Sequence, residues 1–167
     1  MHPVLENIRS RRSIRRYKNE PLEQELLDQV LEAGFYAPSA MNRQPWHFCV
    51  VDDRAILDAI PEFHPYTKFI TQAPCAIVVC GDTELSQVFY MDDCAAATQN
   101  ILLAATALGL GSCWCGIEHT DRADQLAALL HLPATIRPYS LIVLGHTDQV
   151  TAVPERVDPQ RIHHNRW

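Results

Sequence analysis

An α+β fold is predicted by three observations. The segment from about Ser86 to Leu108 is long, apolar and poor in charge after Asp93, and Ala95, Ala96, Ala97, Ala104, Ala105 and Ala107 put small side chains on several faces. Such a helix must be buried, either as the core of one chain or as the seam between two. Short apolar runs near Trp46–Val51, Cys75–Cys80 and Tyr139–Gly145 have the length and residue types of strands. Helix-like and strand-like segments then follow one another through 167 residues without repeats or low-complexity linkers, which suits one domain spanning 1–167.

In chain order, a short helix is expected from about Val4 to Arg11. A clearer one follows from Pro21 to Tyr36, where Leu22, Leu26, Val30 and Leu31 recur at helical spacing, Asn19 stands as a cap, and Glu20, Glu23 and Glu25 sit near the positive end of the dipole. Short helices near Arg54–Ile60 and Tyr66–Thr71 separate the first two strands. Beyond the long helix, Cys113 and Cys115 fall on alternate positions of a strand, and a helix near Arg122–Leu130 leads into the last strand. Asp92 and Asp93 are adjacent, so on a helix they project about 100° apart and read as solvent-facing or capping charges.

Two motifs carry chemistry. The chain has a formal charge of -6, yet six of its fourteen Lys and Arg residues lie between Arg9 and Lys18. Arg11, Ser13 and Arg15 occupy alternate positions there, and guanidinium forks with an interposed hydroxyl suit phosphate oxygens. A solvated basic turn is the competing reading. The second motif, Ala37-Pro38-Ser39-Ala40-Met41-Asn42-Arg43-Gln44-Pro45-Trp46, is a polar loop between a helix and a strand. Its prolines fix two φ angles, and Ser39, Asn42 and Gln44 offer a hydroxyl and two amides to the edge of a heterocycle. Trp46 opens the strand and reads as a core anchor.

Arg11-Arg12-Ser13-x-Arg15 followed by Pro38-Ser39-x-x-Asn42-x-Gln44-Pro45-Trp46 resembles the flavin-dependent nitroreductase family in residue types, spacing and order. The resemblance continues through Leu108-Gly109-Leu110-Gly111-Ser112-Cys113-Trp114-Cys115-Gly116, the strand Leu141–Gly145, and a tail holding Pro154-Glu155-Arg156 and residues 161–167. Four ordered pieces on one short chain are more specific than any one alone. The resemblance implies a nitroreductase-like central, mostly antiparallel sheet flanked by helices. It also implies a long buried central helix and an intertwined homodimer with FMN at the subunit interface.

The same resemblance implies a set of cofactor-binding residues. Arg11 and Ser13 match positions at the cofactor's phosphate and ribityl end, Arg156 matches the C-terminal arginine that meets the same phosphate, and Arg12 matches a neighbouring contact. Arg15 matches the basic residue near flavin N1 and O2, where a cation favours the reduced form. Pro38, Ser39, Ala40, Asn42 and Gln44 match a loop reaching the flavin from the partner subunit, with Ala40 departing from a frequent serine. Cys115 and Gly116 match the segment whose backbone crosses the flavin near N5. Lys68 falls near a further cation for the pyrimidine ring, although its surroundings, Tyr66-Thr67-Lys68-Phe69, also read as a solvated lysine on a short helix.

The activity implied is a ping-pong hydride transfer from NADH or NADPH, through FMN, to a nitroaromatic, quinone or similar small planar acceptor, with no catalytic side chain of the chain's own. Only Gly81-Asp82-Thr83-Glu84-Leu85 stands where larger members carry an inserted excursion. Lid candidates are therefore Phe63-His64-Pro65-Tyr66 and the pair Phe89-Tyr90. A flavin-storage or non-reductase flavin protein is the alternative that the same residues would serve. A nucleic-acid module is disfavoured by the acidic balance and the lack of a second basic cluster. A metal site built on Cys113-x-Cys115 and His119 is disfavoured by the short gap. No apolar run reaches the length of a membrane span and the N-terminus lacks an apolar signal core, so a cytoplasmic location is expected, with the six cysteines (Cys49, Cys75, Cys80, Cys94, Cys113, Cys115) reduced.

Overall fold

The structure, a computed structural model, describes residues 1–118 and 120–167. Four strands, β1 (Trp46–Val51), β2 (Cys75–Asp82), β3 (Gly111–Gly116) and β4 (Ile136–Gly145), form an antiparallel sheet in the order β1-β2-β4-β3. Among the described residues five α-helices surround it: α1 (Pro3–Ser10), α2 (Gln24–Phe35), α3 (Arg54–Phe63), α4 (Tyr90–Ala107) and α5 (Arg122–Leu129).

The central strands are apolar over Cys75–Cys80 of β2 and Leu141–Leu144 of β4, where both faces of the sheet are covered. In β2, Ala76, Val78 and Cys80 pack toward α3 and α5, while Cys75, Ile77 and Val79 pack toward α2 and α4. Leu141 and Val143 of β4 join the first layer, and Ile142 and Leu144 join the second. The period of two in side-chain direction thus builds two cores on one sheet. Trp46 belongs to the second core at 4% exposure.

α4 is the buried helix expected from its composition. Cys94, Ala97, Thr98, Ile101, Leu102 and Ala105 are all buried, with Ala97 and Ala105 allowing the close approach of neighbouring elements. It starts at Tyr90 rather than near Ser86, because the Asp82 carboxylate accepts the Glu84 and Leu85 backbone N–H groups and turns the chain after β2.

α2 also begins later than expected, and Asn19 does not cap it. Lys18 N–H donates to the His146 carbonyl and the Glu23 carboxylate meets the His146 ring at 2.8 Å, which keeps residues 18–23 extended until Glu23. Asp93 departs most from its sequence reading. It is 4% exposed, and Oδ1 accepts the Ala40 backbone N–H at 2.8 Å. The adjacent Asp92 is exposed, as expected for a solvent-facing charge.

Candidate cofactor site

The basic segment is positioned by the apolar residues between its charges. Ser13 forms a parallel bridge to Ser112 at the outer edge of β3, and Ile14 N–H donates to the Ser112 carbonyl at 2.9 Å. Ile14 and Tyr17 are each 7% exposed in the core, and the Tyr17 hydroxyl meets the Ile14 and Val143 carbonyls at 2.8 and 3.1 Å. Burying Ile14 turns its neighbours Ser13 and Arg15 the other way. The structure divides the cluster between two places: the neighbours Arg11 and Arg12 line one cavity and Arg15 lines another.

The tail is zipped onto this segment. Thr147 Oγ1 donates to the Arg16 carbonyl, Arg15 N–H donates to Gln149 Oε1, and Arg12 Nε donates to the Ala152 carbonyl at 3.0 Å. These bonds bring Arg156 to the N-terminal cluster from more than 140 residues away in the chain. A cavity of about 460 Å³ lies where they meet, lined by Arg9, Arg11, Arg12 and Arg156 together with the Glu155 carboxylate. Burial, and then the Arg156 and Arg12 charges, push the Arg11 guanidinium below its ordinary range. Crowded cations of this kind fit a phosphate dianion, which would relieve the repulsion and accept the forked N–H groups.

A second cavity of about 430 Å³ lies beside Arg15, walled by Phe69, Tyr66, His64, Gly116 and Arg122. Gly116 ends β3, and a Cβ placed on it meets no atom within 4 Å. The open side of that glycine lets a planar ring approach the backbone closely. His64 is 3% exposed, its Nε2 lies 3.0 Å from the Gly116 carbonyl, and its Nδ1 has no partner. Of the suggested lid residues, Phe63 packs against the core and His64 anchors the strand end, whereas Tyr66 is exposed and faces the cavity. Tyr90 donates to the Glu118 carboxylate at 3.3 Å, beside a third cavity of about 370 Å³ that shares Trp114 and Gly116.

Cys113 and Cys115 point into the core below Arg15. Cys113 Sγ donates to the Trp114 carbonyl and Cys115 Sγ to the Cys113 carbonyl, each at 3.9 Å; the adjacent Cys115 thiol, then Arg15, Ser13 and Arg11, draw the Cys113 thiol down, while the same coupling and burial push Cys115 up. All six thiols are free. Among the described residues no group of three or more His, Cys, Asp and Glu is placed to hold a metal ion, and His119 lies outside those residues.

The loop 38–44 sits apart from both arginine cavities, and none of its residues lines them. Met41, Asn42 and Gln44 have φ of 54°, 54° and 50°. For side chains other than glycine this costs about 1 kcal/mol or more each, so neighbouring bonds must hold the shape. Ser39 Oγ accepts Gln44 N–H at 3.0 Å, Gln44 Nε2 donates to Asn42 Oδ1 at 3.0 Å, and buried Asp93 fixes Ala40. Lys68 is exposed and does not line the Arg15 cavity; Arg122 does. The sequence offers His64 only as a lid residue and does not single out Asp93 or Arg122 as site residues, since nothing local distinguishes them from an ordinary helix residue.

Burial depresses the His64 pKa, so the unfolded chain binds more protons at this residue below about pH 6.5. Stability contributed by neutral His64 is therefore present above pH 6.5 and lost as pH falls toward its folded pKa, by at most about 1.4 kcal/mol per pH unit. Urea midpoints compared at neutral and mildly acid pH should show this loss in the native sequence. His64→Gln should flatten it.

Fold and site together define an α+β protein whose edge segment 11–15 runs from an arginine-lined cavity to a second one, walled by aromatic rings, beside a strand-end glycine. The chain belongs to the nitroreductase family, whose model matches residues 8–146. A Methanothermobacter thermautotrophicus protein provisionally named an NADH dehydrogenase/NAD(P)H nitroreductase is 43% identical over 167 residues, spanning 98% of this chain and 87% of its own length. The crystal structure of a protein from Parabacteroides distasonis, provisionally given the same name, superposes with a TM-score of 0.98 at 40% identity over 100% of both chains. A provisionally named nitroreductase from Desulfovibrio desulfuricans, solved in complex with FMN, has a TM-score of 0.89 at 36% identity, covering 100% of this chain and 99% of that one.

Proposed function

We propose that this protein, as one unit over residues 1–167, is an FMN-dependent oxidoreductase that uses NADH or NADPH to reduce nitroaromatic, quinone or similar small planar acceptors. The observation that carries the reading is the convergence of Arg11, Arg12 and Arg156 on one cavity, with Arg15 and Gly116 at the next. When bound, FMN supplies the two-electron carrier of a ping-pong reaction. The chain's part is to hold the phosphate on Arg11, Arg12 and Arg156 with Ser13 at the ribityl end, to set a cation, Arg15, at the ring's pyrimidine edge, and to present backbone at Cys115 and Gly116. No nucleophile or paired carboxylate is called for.

A homodimer completes this reading. Val4, Leu5, Phe35 and Tyr36 are 58%, 54%, 58% and 78% exposed on α1 and the end of α2. Val4 and Tyr36 line an apolar groove of about 490 Å³ between α1, α2 and α4, a surface suited to a second copy. In such a pair, Pro38, Ser39, Ala40, Asn42 and Gln44 would serve the partner's cofactor, which accounts for a strained, well-braced loop that lines none of its own chain's arginine cavities. Free thiols fit a reducing cytoplasmic location, and among the described residues no helix is long and apolar enough to cross a membrane.

The test is the absorption spectrum of the purified protein, reconstituted with FMN if colourless, followed by anaerobic NADH or NADPH. Loss of the bound flavin's visible bands, and their return with a quinone or nitroaromatic, is the expected result. Bound flavin that neither nicotinamide bleaches would replace the reductase reading with flavin storage or non-reductase flavin chemistry. Failure to bind flavin would end both.

A further inference from the structure

We propose that Arg122, at the start of α5, is the second cation facing the pyrimidine edge of the flavin, the place the sequence offered to Lys68. The inference rests on the FMN reading above. Arg15 and Arg122 line the same cavity, and each guanidinium lies over an aromatic ring of one short segment: Arg15 Cζ is 6.0 Å from the Phe69 centroid and Arg122 Cζ is 5.3 Å from that of Tyr66. A guanidinium stacked on a ring keeps its in-plane N–H donors free for a ligand. Lys68 lies between those aromatics in sequence, but it is exposed and outside the lining.

Among the described residues no carboxylate answers the two charges; the Cys113 thiol, drawn down in part by Arg15, also lines the cavity. Among the described residues, neither guanidinium has a carboxylate within ion-pair distance, and the cavity lining holds no acidic residue. The same lining holds His64, 3% exposed, with Nδ1 buried and unpartnered. Its Nε2 bond to the Gly116 carbonyl ties the same wall to the strand end assigned to flavin N5. Arg122 is the first residue of α5, so the positive end of that helix adds to the field at this side of the cavity. A half-buried Arg122 that shares a cavity with Arg15 and two aromatic rings, with no carboxylate partner among the described residues, calls for a planar group that bears or gains negative charge.

A flavin gains it. Hydride delivery adds two electrons and one proton, leaving one extra negative charge on the N1–C2–O2 edge unless a further proton is taken up. A second cation there favours the reduced cofactor over the oxidised one, and so sets the potential at which the protein works.

The experiment is the two-electron midpoint potential of the FMN-loaded protein by dye equilibration, in the native sequence, R122Q, R122K and K68Q, with FMN content measured in each. R122Q is expected to keep its FMN while binding reduced relative to oxidised flavin about tenfold less well, which moves the midpoint about 30 mV more negative. R122K should recover most of the shift, and K68Q should leave the midpoint where it was. An unshifted R122Q midpoint, or a K68Q shift as large as that of R122Q, would overturn the assignment while leaving the FMN reading intact. A native protein that takes up no FMN overturns the FMN reading and this one with it, and the FMN content tells the two failures apart.

Discussion

Replacing Arg11 and Arg156 together by alanine is expected to release FMN from a chain that otherwise stays folded. Both side chains line the cationic cradle, and the charge of one already weighs on the other. Charge-assisted hydrogen bonds are worth roughly 1.5–3 kcal/mol each, so losing both should cost about 3–6 kcal/mol and raise the FMN dissociation constant by about two to four powers of ten. Folding should not suffer, because removing two crowded cations relieves repulsion. Flavin fluorescence titration reads the affinity and thermal melting of the apoprotein reads the fold. Unaltered FMN affinity in the double variant would remove the phosphate from this cavity.

Gly116→Val is expected to separate ligand from fold in a different way. A Cβ at this position meets no protein atom within 4 Å, and the residue ends a strand, where β-branched side chains are welcome. The apoprotein should therefore melt within a few degrees of the native sequence. A flavin lying against the strand end would meet the new methyl groups, and overpacking of about 1–3 kcal/mol corresponds to a loss of roughly 5- to 150-fold in FMN affinity. Equal affinity in the variant would show that the ring does not cross the backbone here. A large drop in melting temperature would mean that the glycine serves the sheet.

Much of this was legible in the chain itself, for reasons that differ from one element to the next. The apolar runs of β2 and β4 announced strands, and the alanine-rich α4 announced a buried helix with close neighbours. Charge clustering between Arg9 and Lys18 is plain in the chain, but which arginines share a cavity is not, since Arg11 lines one with its neighbour Arg12 and Arg15 lines another. The late start of α2 was hidden, because the bond from Lys18 to His146 that holds the chain extended joins residues 128 positions apart. Asp93 was misread for a similar reason: a carboxylate in the first turn of a helix usually meets water, and only the return of the loop at Ala40 buries it.

Local pattern by itself determined the α+β class, the strand and helix content, the basic segment and the polar loop, since hydrophobic period, turn chemistry and charge spacing act over a few residues at a time. Tertiary structure alone decided which charges share a cavity. Arg156 reaches Arg11 only because Thr147, Gln149 and Ala152 hydrogen-bond to residues 12–16, and Arg122 reaches Arg15 only because α5 packs back against the sheet beside the Tyr66 and Phe69 rings. Electrostatic partnership depends on distance in space, which the order of residues along a chain does not specify.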